Sequence, residues 1–231
     1  MNTVFRSLLC SMLFLVHSQT VFAALEDVFS NIYNKAVWGD NEGETLCGGG
    51  STLYQTQIMR SKLPRVLQQL GIKTLLDAGC GDFNWLKVTN LGVEDYIGVD
   101  VVPFVIEKNK QLYENEHRRF LHLNIVEDPL PQADLILCRD VFRHLSFKDI
   151  KQALTNFKKT GARYMIITMQ IKTKHNREIT SGDSRNINFR LHPFHFPKPL
   201  ILIKEGAYEG PECKTLAVWA LDDIHPELIQ A

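Results

Sequence analysis

The chain has 231 residues, 45% hydrophobic and 23% charged, with 26 Lys and Arg against 26 Asp and Glu. That composition is ordinary for a globular protein, and the length suits one domain with a sizeable core. A formal net charge of zero gives no charge-based case for nucleic acid or an anionic membrane as partner.

The first residues, "MNTVFRSLLCSMLFLVHSQTVFA", carry one Arg, an apolar stretch from Leu8 to Val16, a polar "HSQT", and small residues at Val21 and Ala23. This three-part layout predicts an export signal over residues 1–23, cleaved after Ala23, ahead of a single domain over 24–231. The apolar stretch is too short for a bilayer span, which needs about 20 residues. The predicted location is therefore outside the cytosol, periplasmic or secreted. Cys47, Cys80, Cys138 and Cys213 follow, an even number that permits disulfides in an exported chain. No CxxC pair is present, so no metal site is expected.

"CGGGS" at 47–51 precedes a helical pattern from Thr52 to Leu70, predicted to break near Pro64. Seven apolar runs then read as strands, at 73–79, 95–101, 118–124, 133–139, 162–168, 200–205 and 216–221. Pro103 opens a helix over 103–116. Ser146 and Asp149 form a capping box for another, whose apolar positions Ile150, Ala153, Leu154 and Phe157 recur at helical spacing until Gly161. Alternation of strand and helix predicts a doubly wound, mostly parallel sheet. Only a short segment separates the last two strands, so these are predicted to pair antiparallel. Residues 170–199 read as a long irregular segment whose Phe189, Leu191, Phe194 and Phe196 argue against disorder, and it is taken as a substrate lid.

The chemistry begins at "LLDAGCGDFNWL", residues 75–86. An apolar strand ends in Asp77, and Gly79 and Gly81 follow where ligands bind doubly wound sheets. A dinucleotide fingerprint requires a third glycine, and Asn84 stands in its place. Asp77-x-Gly79-x-Gly81 instead resembles the first motif of class I S-adenosylmethionine-dependent methyltransferases. With "IYNKAVWGDNEG", "YIGVDVVPFVIEKN", "DPLPQADLILCRDVFRHLS" and "PFHFPKPLILI", the stretch from about Ile32 to the C-terminus is similar to a bacterial group of such enzymes of unassigned substrate.

The resemblance implies a Rossmann-like α/β/α sandwich with seven strands in the order 3-2-1-4-5-7-6; it does not reveal the acceptor, which is expected to be a small polar molecule methylated on oxygen or nitrogen. It implies S-adenosylmethionine as cofactor, held at the first bend by Asp77, Gly79, Gly81, Asp82 and Phe83. Asp100, at the end of the second strand, is expected to accept from both ribose hydroxyls, beside Val101. Asn124 is expected to accept from the adenine amine through its side-chain carbonyl, beside Ile125. Gly50, Ser51 and Arg139 complete the expected set, with the "GGGS" turn as a helix N-terminus for the methionine carboxylate. Asp140 and His144 are the expected catalytic pair, one helical turn apart. Arg185, Arg190 and His192 of the lid are expected to contact an acidic or polyhydroxylated acceptor. Because S-adenosylmethionine is made in the cytosol, export implies delivery into another cell, unless translation starts near Leu25. Two other classes stay open: a dinucleotide-dependent oxidoreductase, and a domain of this fold used only for binding.

Overall fold

Each of the seven apolar runs becomes a strand in the computed structural model, which describes residues 25–205 and 213–230. The predicted export signal lies outside those residues. The strands are β1 (Thr74–Ala78), β2 (Asp95–Asp100), β3 (Arg118–His122), β4 (Leu135–Cys138), β5 (Tyr164–Gln170), β6 (Ile201–Lys204) and β7 (Lys214–Ala220). They form one sheet in the order β3-β2-β1-β4-β5-β7-β6. The first five run parallel, and β7 is antiparallel to both β5 and β6. The central strands are buried almost throughout, as expected where both faces are covered.

Two apolar clusters provide that cover. One contains Leu25, Phe29 and Tyr33 of a helix over 25–34 (α1), Ile150, Leu154 and Phe157 of α4 (Phe147–Phe157), and Phe189, Phe194 and Phe196 of the irregular segment. The other contains Met59, Leu63, Val66 and Leu67 of α2 (Leu53–Gln69). The remaining helix, α3 (Pro103–Tyr113), has Pro103 in its first turn and sends Val105 and Ile106 into the interior. The result is a helix–sheet–helix sandwich.

Three local expectations are corrected. First, α2 runs unbroken through Pro64. Proline in a helix interior costs about 3 kcal/mol. Four large apolar side chains of α2 are buried, and each contributes about 1.5–3 kcal/mol, so packing overrides the local breaker. Second, the helix does not begin at the glycines. Gly49–Ser51 forms a separate single turn, and Thr52 caps α2 by accepting from the Gln55 N–H. Third, the capping box is half reciprocal. Ser146 Oγ accepts from the Asp149 N–H at 3.1 Å, but the return path runs through Ser181, whose hydroxyl accepts from the Ser146 N–H at 2.8 Å and donates to Asp149.

The segment after β5 is ordered by packing, without helix or strand. It lies against the turn after β4 through backbone bonds from Gly182 to His144 and from Arg185 to Arg143. Gly182 also abuts α1, where an added Cβ would stand 2.5 Å from Val28 Cγ1. The four described cysteines are free thiols.

Candidate active site

A cavity of about 360 Å³ opens where β1, β2 and β4 end, within the range of small-molecule sites. Its floor is the bend after β1. Gly79 and Gly81 have φ of +86° and +55°, a region that glycine occupies without penalty. A Cβ on Gly79 would stand 2.3 Å from Val141 Cγ2, and one on Gly81 2.5 Å from Cys47 Sγ. What crowds these glycines is therefore the chain itself, and the bend is shaped by its neighbours before any ligand arrives.

Asp77 is buried at this floor and accepts a hydrogen bond from the Tyr96 hydroxyl at 2.7 Å. Burial pushes its pKa up to about 7, against the pull of that hydrogen bond. Asp82 straps the N-terminal segment down: its Oδ2 accepts from Thr45 Oγ1 at 2.7 Å and from the Leu46 N–H at 3.0 Å. Asn84, in the third-glycine position, is buried and donates to Glu44 Oε1 and to the Ser51 carbonyl. Phe83 does not reach the cavity; it packs among Tyr96, Tyr113 and Phe120.

Asp100 accepts from the Gly81 N–H through one oxygen and from the Val102 N–H through the other, at 2.9 and 3.0 Å. Each oxygen keeps a second lone pair, and the residue lines the cavity with Val101. Asn124 and Ile125 line it too, and Asn124 adds a donor to the expected acceptor. Its carbonyl oxygen accepts from the Val126 N–H at 3.0 Å, while its buried Nδ2 has no partner. The group left without a partner is the donor, and the carbonyl, engaged once by Val126, keeps a second lone pair.

Arg139 joins three elements from a buried position. It pairs with Glu205 beyond β6, and it donates to Ser51 Oγ at 3.3 Å and to the Gly50 carbonyl at 2.6 Å. Gly50 and Ser51 therefore line the cavity because an arginine holds them, with the first α2 N–H already given to Glu44. That removes the expected open helix terminus.

Asp140 has φ +60° and is paired with Lys214, with Arg139 at 3.4 Å. Burial works to raise its pKa, but Lys214 and then Arg139 outweigh it and hold the carboxyl well below the usual range. His144 ends a 3-10 turn, Phe142–His144, so the expected α-helical pairing with Asp140 does not form. Its Nδ1 lies 2.8 Å from the Asp183 carbonyl oxygen, an acceptor, so Nδ1 carries the proton and Nε2 is left as an acceptor. Burial lowers the His144 pKa, the Asp183 contact opposes this, and Arg143 lowers it further. Both residues line the cavity, with Arg143, Ser184 and Lys214.

The expected lid contacts are not at this site. Arg185 is buried over the Phe147 ring at 4.7 Å, and Arg190 and His192 are exposed; none lines the cavity. Of the segment 170–199, Ser184 reaches the lining, and the Asp183 carbonyl acts through His144. Sequence reasoning missed Tyr33, Trp38, Cys47 and Lys214, all lining residues. The aromatics of "IYNKAVW" were a visible signal; Lys214, 74 residues from Asp140, had none.

This strand order, with a ligand-sized cavity at the bend after β1, is the class I methyltransferase fold. Residues 76–160 match the family described as "Methyltransferase domain". No curated protein matches the chain. Among solved structures, the methyltransferase domain of bacterial CtHen1-CN is similar at TM-score 0.53 and 17% identity, over 71% of this chain and 98% of that one. N-methyltransferase NodS from Bradyrhizobium japonicum WM9 is similar at TM-score 0.51 and 13% identity, over 71% and 94%. Human N-acetylserotonin methyltransferase in complex with SAM is similar at TM-score 0.52 and 14% identity, over 71% of this chain and 51% of that one. Of a NodS structure holding S-adenosyl-L-homocysteine, this chain spans 61%, at TM-score 0.43 and 18% identity. The three likenesses with TM-scores above 0.5 establish the fold; activity rests on the site.

Proposed function

We propose that this protein is an S-adenosylmethionine-dependent methyltransferase that methylates an oxygen or nitrogen atom of a small polar acceptor. The observation that carries this reading is the convergence on one cavity of the glycine bend, the Asp100 carboxylate and the unpartnered buried amide of Asn124. An adenosyl group fits that set. The free lone pairs of Asp100 suit two ribose hydroxyls, and Asn124 Nδ2 suits a ring nitrogen of the base. Arg139 fixes the Gly50–Ser51 wall on the amino-acid side. When bound, S-adenosylmethionine supplies a methyl group on a sulfonium whose neutral leaving thioether needs no acid. The chain has then to orient the acceptor, which contributes about 7–11 kcal/mol in well-aligned systems, and to take up any proton released.

A dinucleotide is disfavoured because Asn84 fills the third-glycine position and ties Glu44 to Ser51. Calorimetric titration separates the two: S-adenosylhomocysteine is expected to give a saturable heat and NAD none. The reverse result would reject the proposal.

His144 is the base in this reading, since Asp140 is held ionised by two cations and attracts a proton weakly. A base works in its neutral form, and burial lowers the His144 pKa, with the Arg143 and Lys214 cations adding to it against the Asp183 contact and the Asp140 anion. Turnover is therefore expected to stay level through neutrality and to fall only in acid, below the usual imidazole pKa of about 6.5. His144→Ala is expected to reduce kcat by about 10²–10⁴, to abolish that acid limb, and to leave S-adenosylhomocysteine affinity unchanged. Equal loss of turnover and affinity, or an acid limb retained in the variant, contradicts the assignment.

A further inference from the structure

We infer that the acceptor is a polyhydroxylated ring, of the sugar or cyclitol class, methylated on a hydroxyl oxygen held between Asp140, Arg143 and His144. This rests on the methyltransferase reading and goes past it by naming the acceptor. Three unmet hydrogen-bonding requirements, on three residues that line the cavity, carry it. Asp140 Oδ1 is buried without a partner, while Oδ2 is taken by Lys214. Arg143 Nε is also buried without a partner. His144 Nε2 is an acceptor because Nδ1 is committed to the Asp183 carbonyl. All three residues line the same cavity, and the turn Phe142–His144 spaces the last two.

Asp140 and His144 thus ask a ligand for donors, and Arg143 asks for an acceptor. A buried polar group left unmet is costly, so the ligand that satisfies all three is favoured. A carboxylate or phosphate offers acceptors only and sets an anion against Asp140. An alkylammonium offers donors only and leaves Arg143 unmet. A hydroxyl is donor and acceptor at once, so two adjacent ring hydroxyls meet all three requirements. Trp38, half-buried on the same cavity, gives the carbon face of such a ring an apolar surface. The lid residues that favoured an acidic acceptor, Arg185, Arg190 and His192, do not line this space. In the transfer, the hydroxyl oxygen forms a bond to the methyl carbon as the carbon–sulfur bond breaks, and that electron pair goes to sulfur. The hydroxyl proton passes to His144 Nε2 and then to water.

The test uses the full chain saturated with S-adenosylhomocysteine. Saturation-transfer NMR is recorded with myo-inositol, methyl β-glucopyranoside, phenylacetate and phenethylamine. Mass spectrometry follows one-methyl gains on the same compounds with S-adenosylmethionine. The polyols are expected to bind and gain a methyl, and the acid and the amine are not. Asp140→Asn and Arg143→Gln, each checked for folding by thermal melting, are expected to weaken polyol binding at least about tenfold and to keep S-adenosylhomocysteine affinity within about twofold. Polyols that fail to bind while S-adenosylhomocysteine still does overturn this inference and leave the methyltransferase reading intact. Preferential binding of phenylacetate or phenethylamine overturns it as well. If Asp140→Asn weakens S-adenosylhomocysteine as much as the polyols, the unmet oxygen serves the cofactor's ammonium and the inference falls. Wild type that binds no S-adenosylhomocysteine removes both readings.

Discussion

Asp100→Ala is expected to lower affinity for S-adenosylhomocysteine by about 10²–10⁴ and to destabilise the fold. The affinity loss follows from the carboxylate's free lone pairs: two charge-assisted hydrogen bonds to ligand hydroxyls contribute about 1.5–3 kcal/mol each. The stability loss has a separate origin. Both oxygens already accept backbone bonds, from Gly81 and Val102. Removing them strands two N–H groups at a buried bend, at about 1–3 kcal/mol each. Asp100→Asn keeps the shape and one acceptor oxygen, so it should fall between alanine and wild type in both measurements. Calorimetry reports the affinity and urea denaturation the stability. A folded Asp100→Ala protein that binds like wild type would remove the basis for placing a ribose there.

Arg139→Met is expected to cost about 3–5 kcal/mol of stability, because it leaves Glu205 buried with its charge poorly matched. Lys214 remains 3.2 Å from Glu205, but it also neutralises Asp140, so one cation then faces two carboxylates. The same change frees Gly50 and Ser51 and bares the face of Trp85, over which the guanidinium stands at 5.5 Å. Cofactor affinity should therefore fall together with stability. The double variant Arg139→Met/Glu205→Leu removes both charges and should recover much of the stability without recovering the wall that Arg139 held. A double-mutant cycle by urea denaturation measures that coupling. Additive losses would mean the pair is not the interaction that holds this corner.

The two experiments probe different halves of one site. Asp100 belongs to the bend after β1 and to β2, where local sequence dictates the geometry. Arg139 belongs to a junction of β4, the residues beyond β6 and the N-terminal segment, where side chains 88 and 66 positions away meet. A loss confined to one variant would tell which half controls binding.

The sheet and the ligand-facing bend were determined by the sequence alone. Apolar runs of strand length separated by helical periods admit few arrangements. An acid, two glycines and a second acid 19 residues on form a local pattern, because a strand end and the next strand end are fixed by chain geometry. Tertiary structure decided everything that depends on partners far apart in the chain. Pro64 did not end its helix, because the burial of Met59, Leu63, Val66 and Leu67 outweighs a local penalty. Asn124 presents an unpartnered amide donor beside a carbonyl that Val126 engages once, an arrangement set by the turn it sits in. Lys214 and Glu205 entered the site by antiparallel addition of β6 and β7, which no local pattern encodes. Arg185 looked like a ligand contact and became buried, since its charge says nothing about which way the segment folds. Hydrophobic period specifies which face of an element is covered, whereas the hydrogen-bond state of a polar side chain is set by whichever group fills its other lone pair.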